Sequence, residues 1–409
     1  MKRDELPLLQ PQLSATSKRT AFGVLESIAR SHEMTSTMEE RIRSSYASTS
    51  DFLQESPEFK FWGPTIHGQG SRVIGTTVRP IGRAEFDIDS VMRLPRAAQA
   101  YYAQEGPVAL LNALEVVMRR YAEQHGLKLK RRARCVCLEY ANEMHADLAP
   151  VFADPQLTLL FGEHHAQIPD RELLSYSDTN PTGYMHWFNV AASKRPMLRN
   201  QLTMDSRELA RADVVPLPAQ AEVFNRFLSR IVQVAKIHRN FYFKATPDDA
   251  PTSVFLTTLL AKAYERQIQV WHDDELSFLL AVVRDMHSAI VELPGGDGVQ
   301  WWVLNPTTRS ENLAGRMNTE KRQTGFRVWH HALAADVARL AESVELHEGH
   351  DSLVRKVGST FSQDSADDLQ RSMQRHLATV RSAGRAVVIG ASGLAFEVKS
   401  RENTHHGDL

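Results

Sequence analysis

Two aspartates one residue apart, Asp87 and Asp89 in "EFDIDSVMRL", follow the glycine-rich stretch "GQGSRVIGTT". Residues two apart on an extended chain point to the same side, so the two carboxylates repel each other unless a cation sits between them. Hard oxygen ligands at this spacing suit a pair of divalent ions about 3.5–4 Å apart, Mg²⁺ first and Mn²⁺ as the alternative. Gly70 and Ser71 supply the complement, a loop whose backbone N–H groups can cradle a polyphosphate. A third carboxylate normally completes such a centre, and Asp147 in "MHADLAP" sits in a strand-like run in the same region. The set suits in-line phosphoryl transfer, in which one ion activates an attacking hydroxyl and the other stabilises the departing pyrophosphate. Asp87 and Asp89 would touch both ions and Asp147 mainly the first.

These residues need a frame. Positions 18–56 read as two helical segments, with Phe22, Leu25, Ile28 and Ala29 on one face, expected to brace the sheet that follows. Positions 58–67 and 84–94 read as extended, with the glycine-rich turn and a short helix between them. "GPVALLNALEVVMRRYAEQHG" predicts a helix that begins after Gly-Pro and stops at Gly126. The run 130–152 predicts a hairpin turning at "ANEM", whose second arm carries Asp147. Positions 156–200 read as irregular. Beyond 216, four segments with 3.6-residue apolar periodicity predict a helical bundle. The expected class is α+β, with a catalytic lobe over 1–155, a helical nucleotide-binding lobe over 156–383, and a mobile tail over 384–409.

Composition excludes several classes. The chain has 409 residues, 42% apolar and 24% charged, and carries 48 Lys and Arg against 49 Asp and Glu. That balance argues against a protein that coats duplex nucleic acid. No apolar run approaches the length of a membrane span, and "MKRDELPLLQPQ" lacks the core of a signal peptide, so a cytoplasmic location is expected. Cys135 and Cys137 read as a buried strand face rather than a redox pair. His164 with His165, His330 with His331, and "HEGHD" lack the spacing of a zinc site and read as solvated surface.

Taken in order, "QGSRVIGTTVRPI", "EFDIDSV", "RCVCLEYANEMHADLAPVF", "PTGYMHWF", "VQVAKIHRNFYF", "SVFLTTLLA" and "NPTTRSENLAGR" resemble the polymerase-β-like nucleotidyltransferases. More narrowly they resemble the bacterial cGAS/DncV-like nucleotidyltransferases (CD-NTases) of CBASS anti-phage systems, over most of the chain. The resemblance implies a polymerase-β-like lobe joined to a helical-bundle lobe with the active site in the cleft. It assigns Gly70 and Ser71 to phosphate binding, Asp87, Asp89 and Asp147 to catalysis and metal, and Lys236 and Ser253 to the donor triphosphate. It also implies Mg²⁺-dependent synthesis of a cyclic di- or trinucleotide from NTPs, ATP foremost, for a separate effector. Control by a HORMA-type partner or by conjugation belongs to the same resemblance, although "HHGDL" lacks the small terminal residue that conjugation would use. Arg72 stands where an aromatic or apolar residue is common, and Asn240 where the family often has an acid.

Tyr184, Trp187, Tyr242 and Tyr264 are the candidate base-stacking residues. Trp301 and Trp302 read as core or interface residues. Two other functions fit the same residues less well: a linear transferase acting on RNA, a small molecule or a protein, and a catalytically silent nucleotide sensor.

Overall fold

The computed structural model describes residues 6–7, 13–79, 86–140, 144–162, 164–199, 220–296, 298–308, 311–346, 349–382, 386–389 and 395–398. The chain divides into two compact units: Glu33–Ser193 with Ile290–Asn318, and Met1–His32 with Lys194–Ala289 and Thr319–Leu409. These bounds differ from the lobes read in the sequence. Residues 156–193 and 290–318 belong with the sheet, and the first 32 residues with the helices.

The sheet unit begins with α2 (Ser36–Glu55), β1 (Thr65–Gln69) and β2 (Phe86–Leu94). α3 (Arg96–Tyr102) and α4 (Ala109–His125) follow, then β3 (Lys128–Arg131), β4 (Val136–Tyr140) and β5 (Met144–Ala153). Strand order is β1-β2-β5-β4-β3, antiparallel except for the parallel pair β2–β5. Alternation along β2 separates two chemistries. Met92 and Leu94 face a core with Leu110, Leu114, Val117 and Met118 of α4, while Val91 joins Ala149 and Val151 in a separate cluster. Asp89 shares the parity of Val91 and so lies on the face away from α4. α4 ends where the sequence places it, with Gly126 in the left-handed region at φ 64°.

The stretch read as irregular is ordered. It forms α5 (Pro155–Phe161), β6 (Ala166–Asp170), β7 (Ser175–Thr179) and α6 (Pro181–Ser193). Both helices start the same way, with a side-chain cap followed by proline at the first helical position, where its missing N–H costs nothing. Asp154 accepts from Gln156 N and Leu157 N, and Asn180 from Gly183 N. The motif "NPTTRSEN" braces the start of α6. Thr307 exchanges bonds with Asn180 at 3.4 Å, and Asn312 and Asn318 hold the backbone of Trp301 and its neighbours. Trp301 lies buried on the hairpin of β10 (Val291–Gly295) and β11 (Gly298–Trp302), whereas Trp302 is exposed.

In the helical unit, α1 (Ala15–Ser31) buries Phe22, Leu25, Ile28 and Ala29, as the periodicity requires. Their partner is α7 (Gln220–Tyr242) rather than the sheet: Phe22 meets Phe227 edge-on at 5.5 Å, and Glu26 bridges Arg230 at 2.9 Å with both side chains 4% exposed. α2 alone braces the sheet, through Ser45 to Tyr140 and Tyr46 to the Ile66 carbonyl. α8 (Ser253–Gln267), α9 (Glu275–Asp285), α10 (Glu320–Glu345), α11 (His350–Thr360) and α12 (Gln363–Ser382) complete the bundle. Short pairs add β8 (Met197–Leu198) to β9 (Trp271–His272), and β12 (Ala386–Ile389) to β13 (Ala395–Val398). The remainder of the expected mobile tail lies outside the described residues.

Three expectations are corrected here, the first being His165, which is not solvated surface but buried, 3% exposed. His330 is not solvated surface but fully buried, its ring nitrogen 2.6 Å from the Val283 carbonyl, because its side of α10 packs inward. Tyr264 is not a base platform: it is fully buried, packs edge-on against Phe278 and donates to the Lys194 carbonyl.

Candidate active site

β1 delivers the chain into the glycine loop, and β2 brings it back antiparallel with Gln69 paired to Asp89. Between them, Thr76 N donates to the Ser71 carbonyl at 2.9 Å and Gly75 N to the Arg72 carbonyl at 3.1 Å. Over residues 70–79 the result is a tight turn; the rest of the connection, where a short helix was expected, lies outside the described residues. Ser71 Oγ meets Thr77 Oγ1 at 3.1 Å, and Arg72 bridges Glu39 of α2 at 2.7 Å. Gly70 has φ 73°, and a Cβ added there would stand 2.2 Å from Asp89 Oδ2. The loop backbone therefore presses directly on that carboxylate, a contact only glycine permits.

The parallel pairing places Asp89 opposite Asp147 and Asp87 opposite His145, and β4 then sets Cys137 opposite Asp147. Gln69, Asp89, Asp147 and Cys137 thus form one row across four strands spaced by about 4.8 Å. Asp87 enters this description by its backbone position alone, since its side chain lies outside the described residues. Among the described residues no three His, Cys, Asp or Glu side chains gather as a metal set.

One atom of the row points to a cation. Asp147 Oδ1 is buried and has no hydrogen-bond partner among the described residues. A carboxylate oxygen withdrawn from water without a donor is costly, and a hard cation removes that cost. Cys135 and Cys137 are free thiols. Burial pushes both thiols up, Cys137 to about 12; next in weight come the charge of Asp147 at Cys135 and a hydrogen bond to the Asp147 carboxylate at Cys137. Without a metal they stay protonated at neutral pH, and of the four side chains in the row three offer oxygen and one sulfur. Oxygen donors therefore dominate the row, which fits Mg²⁺ or Mn²⁺ better than zinc.

The other two assigned residues lie in the helical unit. Lys236, on α7, is 3% exposed. Ser253 is the first residue of α8, and its Oγ accepts from Arg239 Nη1 at 3.2 Å. Of the remaining stacking candidates, Tyr184 and Trp187 are neighbours on α6 with ring centroids 5.4 Å apart, and Tyr242 stacks on His238. Sequence reasoning passed over Gln69, Cys137 and Arg239. The first two share strand parity with the aspartates, a signal that becomes readable only once the register is known.

Residues 24–191 match the Second Messenger Oligonucleotide or Dinucleotide Synthetase domain. A c-di-GMP synthase of Roseivirga ehrenbergii is 29% identical over 305 residues, 74% of each chain. The cyclic dinucleotide synthase CdnG of Bradyrhizobium diazoefficiens is 27% identical over 205 residues, 47% of this chain and 46% of its own. The structure of that organism's CD-NTase CdnG in complex with GTP superposes with a TM-score of 0.59 at 20% identity, covering 86% of this chain and 97% of the other. E. coli MS115-1 CdnC in its HORMA-deltaN complex gives 0.55 at 14% identity, covering 83% and 97%. The fold is shared with both structures. With Asp89 and Asp147 in register beside a glycine-serine loop, residues 24–191 carry the matched synthetase domain, and the chain is similar to cyclic dinucleotide synthases in sequence and to CD-NTases in fold.

Proposed function

We propose that this chain joins two or three nucleoside triphosphates into a cyclic oligonucleotide and releases pyrophosphate, using divalent metal. The observation that carries the reading is the row in which Asp89 and Asp147 face each other across parallel strands, with the Gly70 backbone against the Asp89 carboxylate. Asp87, Asp89 and Asp147 are the residues that would hold Mg²⁺. When bound there, the metal would supply activation of the acceptor hydroxyl and neutralise charge on the leaving pyrophosphate.

The chain's own residues bind and orient. Gly70 brings the loop backbone close enough to hold the donor phosphates beside the carboxylates, and Ser71 adds a hydroxyl. Lys236 and Ser253 are assigned to the donor triphosphate. In each transfer the acceptor hydroxyl loses its proton, its oxygen bonds to the α-phosphorus, and the bond to pyrophosphate breaks. A second or third transfer closes the ring.

Likeness to a c-di-GMP synthase and to a CdnG solved with GTP favours guanine nucleotide as a substrate alongside or ahead of ATP. Anti-phage CBASS signalling to a separate effector, a cytoplasmic location and a HORMA-type regulator complete the reading; likeness to a CdnC solved with a HORMA partner supports the last.

The test incubates the protein with labelled GTP and ATP and Mg²⁺, then removes linear ends with phosphatase. A phosphatase-resistant product should form with wild type and vanish with Asp147→Asn. The variant should unfold at an equal or higher temperature without metal, because it neutralises a buried oxygen that lacks a donor. Product that persists in Asp147→Asn refutes the site.

A further inference from the structure

Among the described residues Arg239 is a cation without a counter-charge. Its Nε and Nη2 donate to Asn240 Oδ1 at 3.0 and 2.7 Å, and its Nη1 donates to the Pro251 carbonyl at 2.8 Å and to Ser253 Oγ at 3.2 Å. All four contacts are to neutral acceptors, and no carboxylate among the described residues pairs with it. Burial holds its guanidinium down, to about 10, so it remains charged at neutral pH. Asn240 is a neutral acceptor beside this charge. An aspartate there would neutralise the fork, whereas the amide positions it and leaves the charge unspent.

The second half of the geometry is the start of α8. Ser253 is exposed at the first position of a 15-residue helix, where the helix dipole favours an anion. A hydroxyl oxygen that accepts a charged hydrogen bond has its own proton turned away from that donor, toward solvent or ligand, and is made a stronger donor by it. Lys236 precedes Arg239 by three residues on α7, which places both on neighbouring positions of one helix face.

We propose that Arg239 is a positioning residue for the donor triphosphate, presenting Ser253 as an outward hydrogen-bond donor, and that Asn240 keeps the Arg239 charge available to the phosphates. This rests on the assignment of Ser253 to the donor. An acid at 240 would compete with the substrate for the same cation.

The experiment measures KM and kcat for GTP by pyrophosphate release in full-length wild type, Ser253→Ala, Arg239→Met, the double variant and Asn240→Asp, with thermal unfolding of each. Ser253→Ala and Arg239→Met should each raise KM about tenfold, the loss of one hydrogen bond to a charged group, with a smaller change in kcat. The double variant should be no more than about twofold worse than Ser253→Ala alone, because both remove one unit. Asn240→Asp should raise KM about threefold while unfolding no earlier than wild type, since it adds an ion pair. Should Arg239→Met fail to fold, Arg239→Lys runs the same cycle and should raise KM only where Ser253 is present.

Full multiplication of the two single effects, or an unfolding loss with KM unchanged in Arg239→Met, overturns the proposal while leaving Ser253 as a donor contact. An unchanged KM in Ser253→Ala overturns the assignment of Ser253, and the proposal with it.

Discussion

Replacing Gly70 with alanine tests the contact on which the active-site reading depends. The added Cβ would lie 2.2 Å from Asp89 Oδ2, 3.1 Å from its Cγ and 3.2 Å from its Cβ. Ordinary carbon contacts begin at about 3.5 Å, so the carboxylate must retreat by about 1 Å. A shift of about 1 Å in a catalytic group lowers turnover by about 10²-fold. The left-handed φ of 73° adds a backbone cost of about 1–2 kcal/mol for any residue with a Cβ. That corresponds to a melting-temperature loss of about 2–8 °C in a unit of this size.

Gly126→Ala separates the two effects. Gly126 also has a left-handed φ, 64°, but nothing lies within 4 Å of its missing Cβ. The assay is pyrophosphate release from GTP under saturating substrate, paired with thermal unfolding. Gly126→Ala should lose melting temperature and keep its turnover, while Gly70→Ala should lose both. If Gly70→Ala kept kcat within about threefold of wild type, the loop would not be pressing on Asp89, and the argument that joins phosphate loop to carboxylate would fail.

Two further outcomes follow from buried charge. Burial lowers His330 to about 4, so the folded protein holds this imidazole neutral while the unfolded chain protonates it near 6.5. The unfolded state therefore binds more protons between those values. The contribution is fully present above 6.5 and is lost as pH falls toward 4, by about 3 kcal/mol at most. Urea midpoints measured across that range should fall with pH, and the fall should be smaller in His330→Gln; equal slopes in the two proteins would contradict the burial of that ring. Glu26 neutralises Arg230 inside the helical unit, so Glu26→Gln should destabilise by about 3–5 kcal/mol and Glu26→Gln with Arg230→Met by much less. Denaturant unfolding of the two variants decides it, and equal losses would show that the pair is not a buried unit.

Helices were legible because a 3.6-residue apolar period survives whatever the helix packs against. α1, α2 and α4 fall where Phe22, Leu25 and Ile28 or the Gly-Pro and Gly126 signals place them. What those faces pack against was not legible: the stripe on α1 specifies a greasy neighbour, not which one, and Phe227 rather than the sheet supplies it. The stretch 156–193 was misread because its elements are too short for periodicity to emerge. Its signal was local instead, in Asp154-Pro155 and Asn180-Pro181, each a cap followed by a proline that fits only the first helical turn.

For the proposed site, residue type and order were enough to nominate Gly70, Ser71, Asp87, Asp89 and Asp147, because a phosphate and hard cations would call for those groups whatever the fold. Tertiary structure alone decided that Asp89 and Asp147 face each other, since their parallel pairing is made across α3, α4 and two intervening strands. It alone put the Gly70 backbone against a carboxylate, left Asp147 Oδ1 buried without a donor, and set Arg239 on Ser253. Each of these is a contact between segments distant in the chain, and no local spacing encodes it; a strand shifted by one residue would keep the same sequence and turn every one of those side chains to the opposite face.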